Sequence, residues 1–294
     1  MASSLIETRP EPATPKPRDG ELEPAELWKR EKRRSRLRVI SRAVLGFVIM
    51  LAAWQAIATA YDLQVILPPP WAVAQHAYDV LTLNSQWPYG PNIYAQAGMS
   101  LVRAMIGFAL GVALGMPLGL LIGRVRVVRE ILGPVLKVFY PIPSIAWVPI
   151  MILWFGLTPT AIIAMVALGV FFPMLFNAEA GARAVAEVQI NAARCYGATG
   201  LRLFTKVVLP SAVPFLASGL RIGIGDAWRL VIAGEIVVGQ SGIGFVLNQS
   251  RFLFQTADLL TAMAVVAVVG YASEILVVRM LEKRTIEIWQ PTPH

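Results

Sequence analysis

Four ionisable residues inside one apolar stretch, Arg221, Asp226, Arg229 and Glu235, are the side chains best placed to act on a solute. An ionised group at the centre of a bilayer costs about 3 kcal/mol even on the lenient insertion scale, so these groups are expected to face protein or water rather than lipid. Asp226 and Arg229 lie three residues apart and can meet on one helix face, which makes a mutually satisfied pair the plainer reading. Arg221 stands apart from them, and for it lining a solute route and packing against protein are equally open. Arg221, Asp226, Trp228 and Glu235 are the candidate path residues of this stretch. Covalent and metal chemistry have little to work with: Cys195 is the single cysteine, and the two histidines, His76 and His294, are far apart. No Gly-Lys pair occurs, so no phosphate-cradling Gly-Lys-Ser/Thr loop is present. If ATP drives this protein, another chain hydrolyses it.

A second constellation lies in the polar, basic stretch 191–210, NAARCYGATGLRLFTKVVLP, set between two apolar segments. Its skeleton is Asn191, Ala192 and Ala193, then Gly197, then Leu209 and Pro210. A regularly marked, helix-like loop between membrane segments invites a partner, and we read it as a docking element. Glu187, one helical turn before Asn191, falls on nearly the same face.

The elements that position these residues follow from composition. The 294-residue chain is 56% hydrophobic and 15% charged, against roughly 45–50% apolar and 25% charged in soluble domains, and its mean hydropathy is +0.61. These values describe an integral membrane protein. Its formal charge of +8 sits at the ends of apolar runs, as the positive-inside rule requires, and is read as topology-setting rather than as nucleic-acid binding. The expected fold is all-α and polytopic, with six spans, each near the 20 residues that cross a bilayer: 39–60, 104–123, 138–156, 161–176, 207–233 and 259–278.

Residues 1–38 read as a disordered cytoplasmic tail, 39–284 as the membrane domain with its cytoplasmic loop at 177–210, and 285–294 as a short tail. Both termini are placed in the cytoplasm, because 22 of the 26 Lys and Arg then fall on that side. Residues 71–83 have helical apolar spacing and are expected to lie at the outer interface, with His76 a partly exposed surface residue. Span two carries Gly107, Gly111, Gly115 and Gly119 at four-residue intervals, a packing stripe that lets another helix approach closely. Span three carries Pro141, Pro143 and Pro149, which disturb its backbone hydrogen bonds; Pro141, Pro143 and Trp147 are candidate lining of a path, with a kinked packing helix as the alternative.

The loop's Ala-Ala, Gly and late Leu-Pro resemble the signature loop of permease subunits of bacterial ABC importers, with Asn191 where that family usually has Glu. YPIPSIAWVPIMILWFG, FFPMLFNAEAG, GLRIGIGDAWRLVIAGE and SGIGF resemble the subgroup serving nitrate, sulfonates, taurine and bicarbonate, and the similarity covers about 67–282. The resemblance implies a type I importer permease in the bacterial inner membrane whose loop, between spans four and five, forms a coupling helix seated in a separate ATPase. It further implies a second permease copy, two ATP-binding subunits that carry ATP and Mg, and an external binding protein, periplasmic or lipid-anchored. An ATP-independent transporter or channel shares the spans and charges, but needs no regular cytoplasmic helix ending in Leu-Pro, and we find no convincing inverted repeat. No acid-base pair or nucleophile-His pairing supports an enzyme.

Overall fold

The computed structural model describes residues 24–60, 66–83, 88–90 and 92–281. It divides into two compact units, 1–62 and 63–294. The first contains α1 (Pro24–Ala60), whose apolar part is Ser41–Ala60. The helix begins well before the expected tail boundary at residue 38. Although 24–38 is highly charged, it is built mostly of Ala, Glu, Leu, Lys and Arg, strong helix formers, and it extends a nucleus that the apolar run already supplies. Residues 1–23 and 282–294, which hold most of the two expected tails, lie outside the described residues.

The second unit is all-helical among its described residues: α2 (Pro70–Leu81), α3 (Ile93–Arg124), α4 (Arg126–Phe139), α5 (Val148–Phe155), α6 (Pro159–Arg183), α7 (Glu187–Cys195), α8 (Gly200–Leu203), α9 (Leu209–Val238), α10 (Ile243–Phe252) and α11 (Thr256–Leu281). Among the described residues, α1 included, five candidate spans are long and apolar enough to cross a membrane, or six if the bent pair α4 and α5 counts as one.

The centre of this unit is α3 against α6, with α9 on α6. The α3 glycine stripe creates that contact. A Cβ on Gly107 would stand 2.6 Å from the Val166 side chain, on Gly111 2.7 Å from the Ala167 carbonyl, on Gly115 2.6 Å from the Phe171 carbonyl and on Gly119 2.2 Å from the Leu175 carbonyl. Gly123 extends the series one turn further, 2.6 Å from the Ala182 Cβ. Helices that touch backbone to backbone gain dispersion contacts that lipid cannot replace. On its other side α6 receives α9, where Gly219 meets Met174 and Asn177, and Gly234 meets Met165 and Ile162.

The expected third span is not one helix. α3 runs to Arg124, the single extended residue Val125 breaks it (φ −101, ψ 108), and α4 begins at once. Arg126, Arg129 and Lys137 therefore lie on a helix. After Phe139 the chain bends, passes through a 3-10 turn at Ser144–Trp147, and re-forms a helix as α5, with a 90° angle between the two arms. Pro141 and Pro143 each lack an N–H to continue the helical ladder, and Pro143 itself is extended (φ −56, ψ 135), so the break follows from the sequence. Pro149, by contrast, occupies the first turn of α5, where a missing donor costs nothing.

Candidate functional site

The loop between α6 and α9 is a compact two-helix insert. Its root is apolar: Val185, Ile190, Leu203 and Val208 are buried in one cluster with Ala182 of α6 and Ala212 and Leu216 of α9. Ile190 is the buried residue of α7. The rest of α7 and its C-terminal turn face outward. Glu187, Asn191, Ala192 and Gly197 are exposed and Ala193 is half-buried, and around them Val188, Tyr196 and Leu201 are 78%, 91% and 77% exposed. Glu187 sits in the first turn of α7, where a carboxylate complements the helix dipole.

Gly197 ends α7. Its N–H donates to the Arg194 carbonyl (2.9 Å) and the Ala198 N–H to the Ala193 carbonyl (3.0 Å), the paired bonds of a Schellman cap. The glycine carries φ +78, and a Cβ there would meet nothing within 4 Å. Backbone conformation, not space, requires glycine at this position. Leu209 and Pro210 open α9. Because Pro210 has no N–H for the Lys206 carbonyl, the preceding turn widens: the Leu209 N–H bonds the Phe204 carbonyl in a π turn over Phe204–Val208.

The ionisable residues of α9 separate into different environments. Arg229 donates to Asp226 at 2.6 Å on a largely exposed face. Arg221 is exposed and stands twelve residues, about 18 Å, along α9 from Leu209. Trp228 is turned inward, and its indole N–H donates to the Val266 carbonyl of α11 at 3.0 Å. Pro141 and Pro143 are exposed at the bend, and Trp147 packs its ring 5.9 Å from that of Phe139.

Glu235 is fully buried, 0% exposed, and holds the far end of the bundle together. Its carboxylate accepts from Arg103 (2.6 Å), the Ser100 hydroxyl (2.7 Å) and the Gly244 N–H (3.0 Å). Arg103 also donates to the Ser241 carbonyl (2.7 Å) and hydroxyl (2.5 Å). Gln96 accepts from the Gly242 N–H (2.5 Å) and donates to the Tyr89 carbonyl (2.8 Å). A Cβ on Gly242 (φ +105) would lie 2.2 Å from the Glu235 carboxyl carbon. The Ser-Gly-Ile-Gly turn thus wraps a carboxylate. Sequence spacing put Glu235 with the path residues and left Gln96, Ser100 and Ser241 unread.

A second polar cluster lies nearby. Asp258 of α11 bonds His76 of α2 through Oδ1 and accepts from the Tyr89 hydroxyl through Oδ2 at 2.8 Å; that hydroxyl also reaches Gln255. Burial, reinforced by the Asp258 carboxylate and partly offset by Ser250, pushes the Tyr89 phenol up to about 12, so it remains a donor throughout the physiological range. His76 is a tether between elements, a role that a lone histidine on an amphipathic segment did not announce.

The match to known proteins covers the bundle and its loop. A family model described as binding-protein-dependent transport system inner membrane component matches residues 111–287. The taurine transport system permease protein TauC of Escherichia coli (strain K12) is 31% identical over 248 residues, covering 84% of this chain and 89% of the relative. The nitrate import permease protein NrtB of Synechocystis sp. is 28% identical over 234 residues, covering 79% and 84%. A chain of the inward-facing MetNI methionine ABC transporter shares the fold, with a TM-score of 0.55 at 20% identity over 63% of this chain and 92% of that one. The chain belongs to the family of binding-protein-dependent transport system inner membrane components, the permeases of ABC importers.

Proposed function

We propose that two copies of this chain, with two ATP-binding subunits and an external solute-binding protein, import a small oxyanion such as a sulfonate or nitrate across the bacterial inner membrane. The observation that carries the reading is α7: rooted by Ile190 in the core shared by α6 and α9, it presents Val188, Tyr196 and Asn191 outward. Apolar side chains exposed around a capped helix suit a protein partner. ATP and Mg reside on that partner, and Glu187, Asn191, Ala192, Ala193 and Gly197 form this chain's side of the joint, with Leu209 and Pro210 setting its angle to α9. Closure of the ATPases pushes two such helices together, and the shared core passes the displacement to α6 and α9. The bundles then tilt between inward-open and outward-open states. Both termini and the α7 loop face the cytoplasm, in keeping with the distribution of Lys and Arg.

The substrate class rests on what TauC and NrtB are named for and on the exposed cation Arg221; Pro141, Pro143, Trp147, Asp226 and Trp228 line or shape the same route. Gly197→Val tests the joint. It forces a β-branched residue into a left-handed conformation at a cost of about 1–2 kcal/mol to the cap, while the open space around it leaves the bundle intact. At least a tenfold loss of copurifying ATPase is expected, and unchanged association and uptake would remove the docking assignment. For the route, Arg221→Ala is expected to lower uptake tenfold or more with ATPase assembly unchanged. Wild-type uptake kinetics would return Arg221 to a packing role.

A further inference from the structure

Eight of the fourteen residues 29–42 are Lys or Arg, with one acid, Glu31, among them. The whole loop 177–210 holds only four Lys and Arg. Orienting a span needs no more than a bias of Lys and Arg beside it, so the density at 29–42 has a second cause. The backbone joins these residues to the span as one rod: α1 runs unbroken over Pro24–Ala60, and the basic stretch leads straight into the apolar run Ser41–Ala60. Arg38 stands about 6 Å before Arg42 along the helix, Arg36 about 9 Å and Lys29 about 20 Å. A headgroup layer is about 5–8 Å thick. Arg42, Arg38 and Arg36 therefore fall within that layer or at its edge, and the other five lie beyond it.

Helical register decides which partner fits. Lys29, Lys32, Arg33 and Arg36 fall on one face, at i, i+3, i+4 and i+7, while Arg30, Arg34 and Arg38 fall on the other side, at i, i+4 and i+8. Trp28 and Leu37, the two large apolar residues within 28–38, are nine positions apart, about two and a half turns, and so also on opposite sides. The stretch has no apolar face. A protein interface centres on desolvated apolar and aromatic anchors, and a helix that lies flat on a membrane buries an apolar face. Cations placed all round a helix that leaves a membrane suit the anionic headgroups that encircle it. Arg38 and each of residues 41–50 are exposed, so the helix offers its full circumference where it enters the lipid.

We infer that residues 29–42 of α1 are a binding surface for anionic phospholipid headgroups. Arg36, Arg38 and Arg42 hold the headgroups directly, and the basic residues of 29–34 attract them at longer range. The proposed function adds only the side, the cytoplasmic leaflet.

The test places the full chain in phosphatidylcholine vesicles with a minority of phosphatidylglycerol. A donor dye is attached to Ser35→Cys in a Cys195→Ser background, and a trace of acyl-labelled phosphatidylglycerol or acyl-labelled phosphatidylcholine is the acceptor. Energy transfer to phosphatidylglycerol is expected to exceed transfer to phosphatidylcholine at least threefold in about 150 mM salt. Arg36→Gln with Arg38→Gln removes at least half of that preference. Lys29→Gln with Arg30→Gln removes the same charge about 18–20 Å from Arg42, beyond the Debye length of about 8 Å, and leaves the preference nearly unchanged. It lowers the preference only near about 10 mM salt, where the Debye length is about 30 Å. Equal transfer to the two lipids overturns the surface, as do equal effects of the two double variants at the higher salt. A preference that disappears when the ATP-binding subunits are added also overturns it, by making the stretch a protein contact. A chain that gathers phosphatidylglycerol yet imports no oxyanion with its partners overturns the proposed function and leaves this surface standing.

Discussion

Gly119→Ala is expected to destabilise the bundle by more than about 3 kcal/mol, beyond the usual cost of overpacking, whereas Gly98→Ala in the same helix stabilises it by about 0.5–1 kcal/mol. The chemistry of the two changes is identical. They differ in what the new methyl meets: the Leu175 carbonyl at 2.2 Å and the Ala178 Cβ at 2.8 Å from position 119, and nothing within 4 Å from position 98. A backbone carbonyl cannot rotate aside as a long side chain does, so accommodating the methyl requires α3 and α6 to separate, and that would loosen the neighbouring contacts at Gly115 and Gly123. Thermal midpoints in detergent measure both variants, with uptake as a second readout. Equal and small shifts would mean that the α3–α6 contact is not the centre of the fold.

The same contact explains how a small displacement at α7 reaches the far end. α7 shares a core with α6 and α9, α6 is held backbone to backbone on α3, and α9 is tied to α3 by the Arg103–Glu235 pair. Close-packed elements of this kind move as a body rather than deform. The two arms of the bend differ: α4 buries no residue, whereas α5 seats Val148 and Met151 in the core it shares with α6 and α9. On the proposed function, therefore, α4 and the face bearing Arg221 change their surroundings while the packed body, α5 included, tilts.

Features repeated along one helix were legible in the sequence; features formed between distant segments were not. The stripe from Gly107 to Gly119 shows itself by its four-residue interval, and the structure adds only Gly123. Asp226 and Arg229 meet as their spacing implies, at 2.6 Å. The chain of features from Ala192 to Pro210 is equally local, because a helix cap and a proline-opened helix are both written within a few residues. The break in the expected third span was half-legible: Pro141 and Pro143 mark a disturbance, but the 90° angle depends on α5 finding a seat against α6. Gln96 and Gly242 are 146 residues apart, and His76 and Asp258 182 apart. No periodicity links such pairs, and a glutamate that closes a turn looks in sequence like one that lines a path.

Arg103 and Glu235, 132 residues apart in sequence and both nearly excluded from solvent, should show strong coupling when replaced. Removing one partner of a buried pair leaves an uncompensated charge and costs about 3–5 kcal/mol. Glu235→Gln keeps the shape and still accepts from the Ser100 hydroxyl or the Gly244 N–H, but deprives Arg103 of its counter-charge. Arg103→Met keeps the volume and strands the carboxylate. The double variant buries no lone charge, so its loss is expected to fall short of the sum of the singles by about 1–3 kcal/mol. It does not recover fully, because the Ser241 carbonyl and hydroxyl lose the donor they share at 2.7 and 2.5 Å. Raising the ionic strength from low to molar is expected to leave the wild-type midpoint nearly unchanged, since a pair this enclosed is poorly screened. Additive single losses would show that the two residues act independently, and the far-end turn would then owe its shape to Gly242 and Gly244 alone.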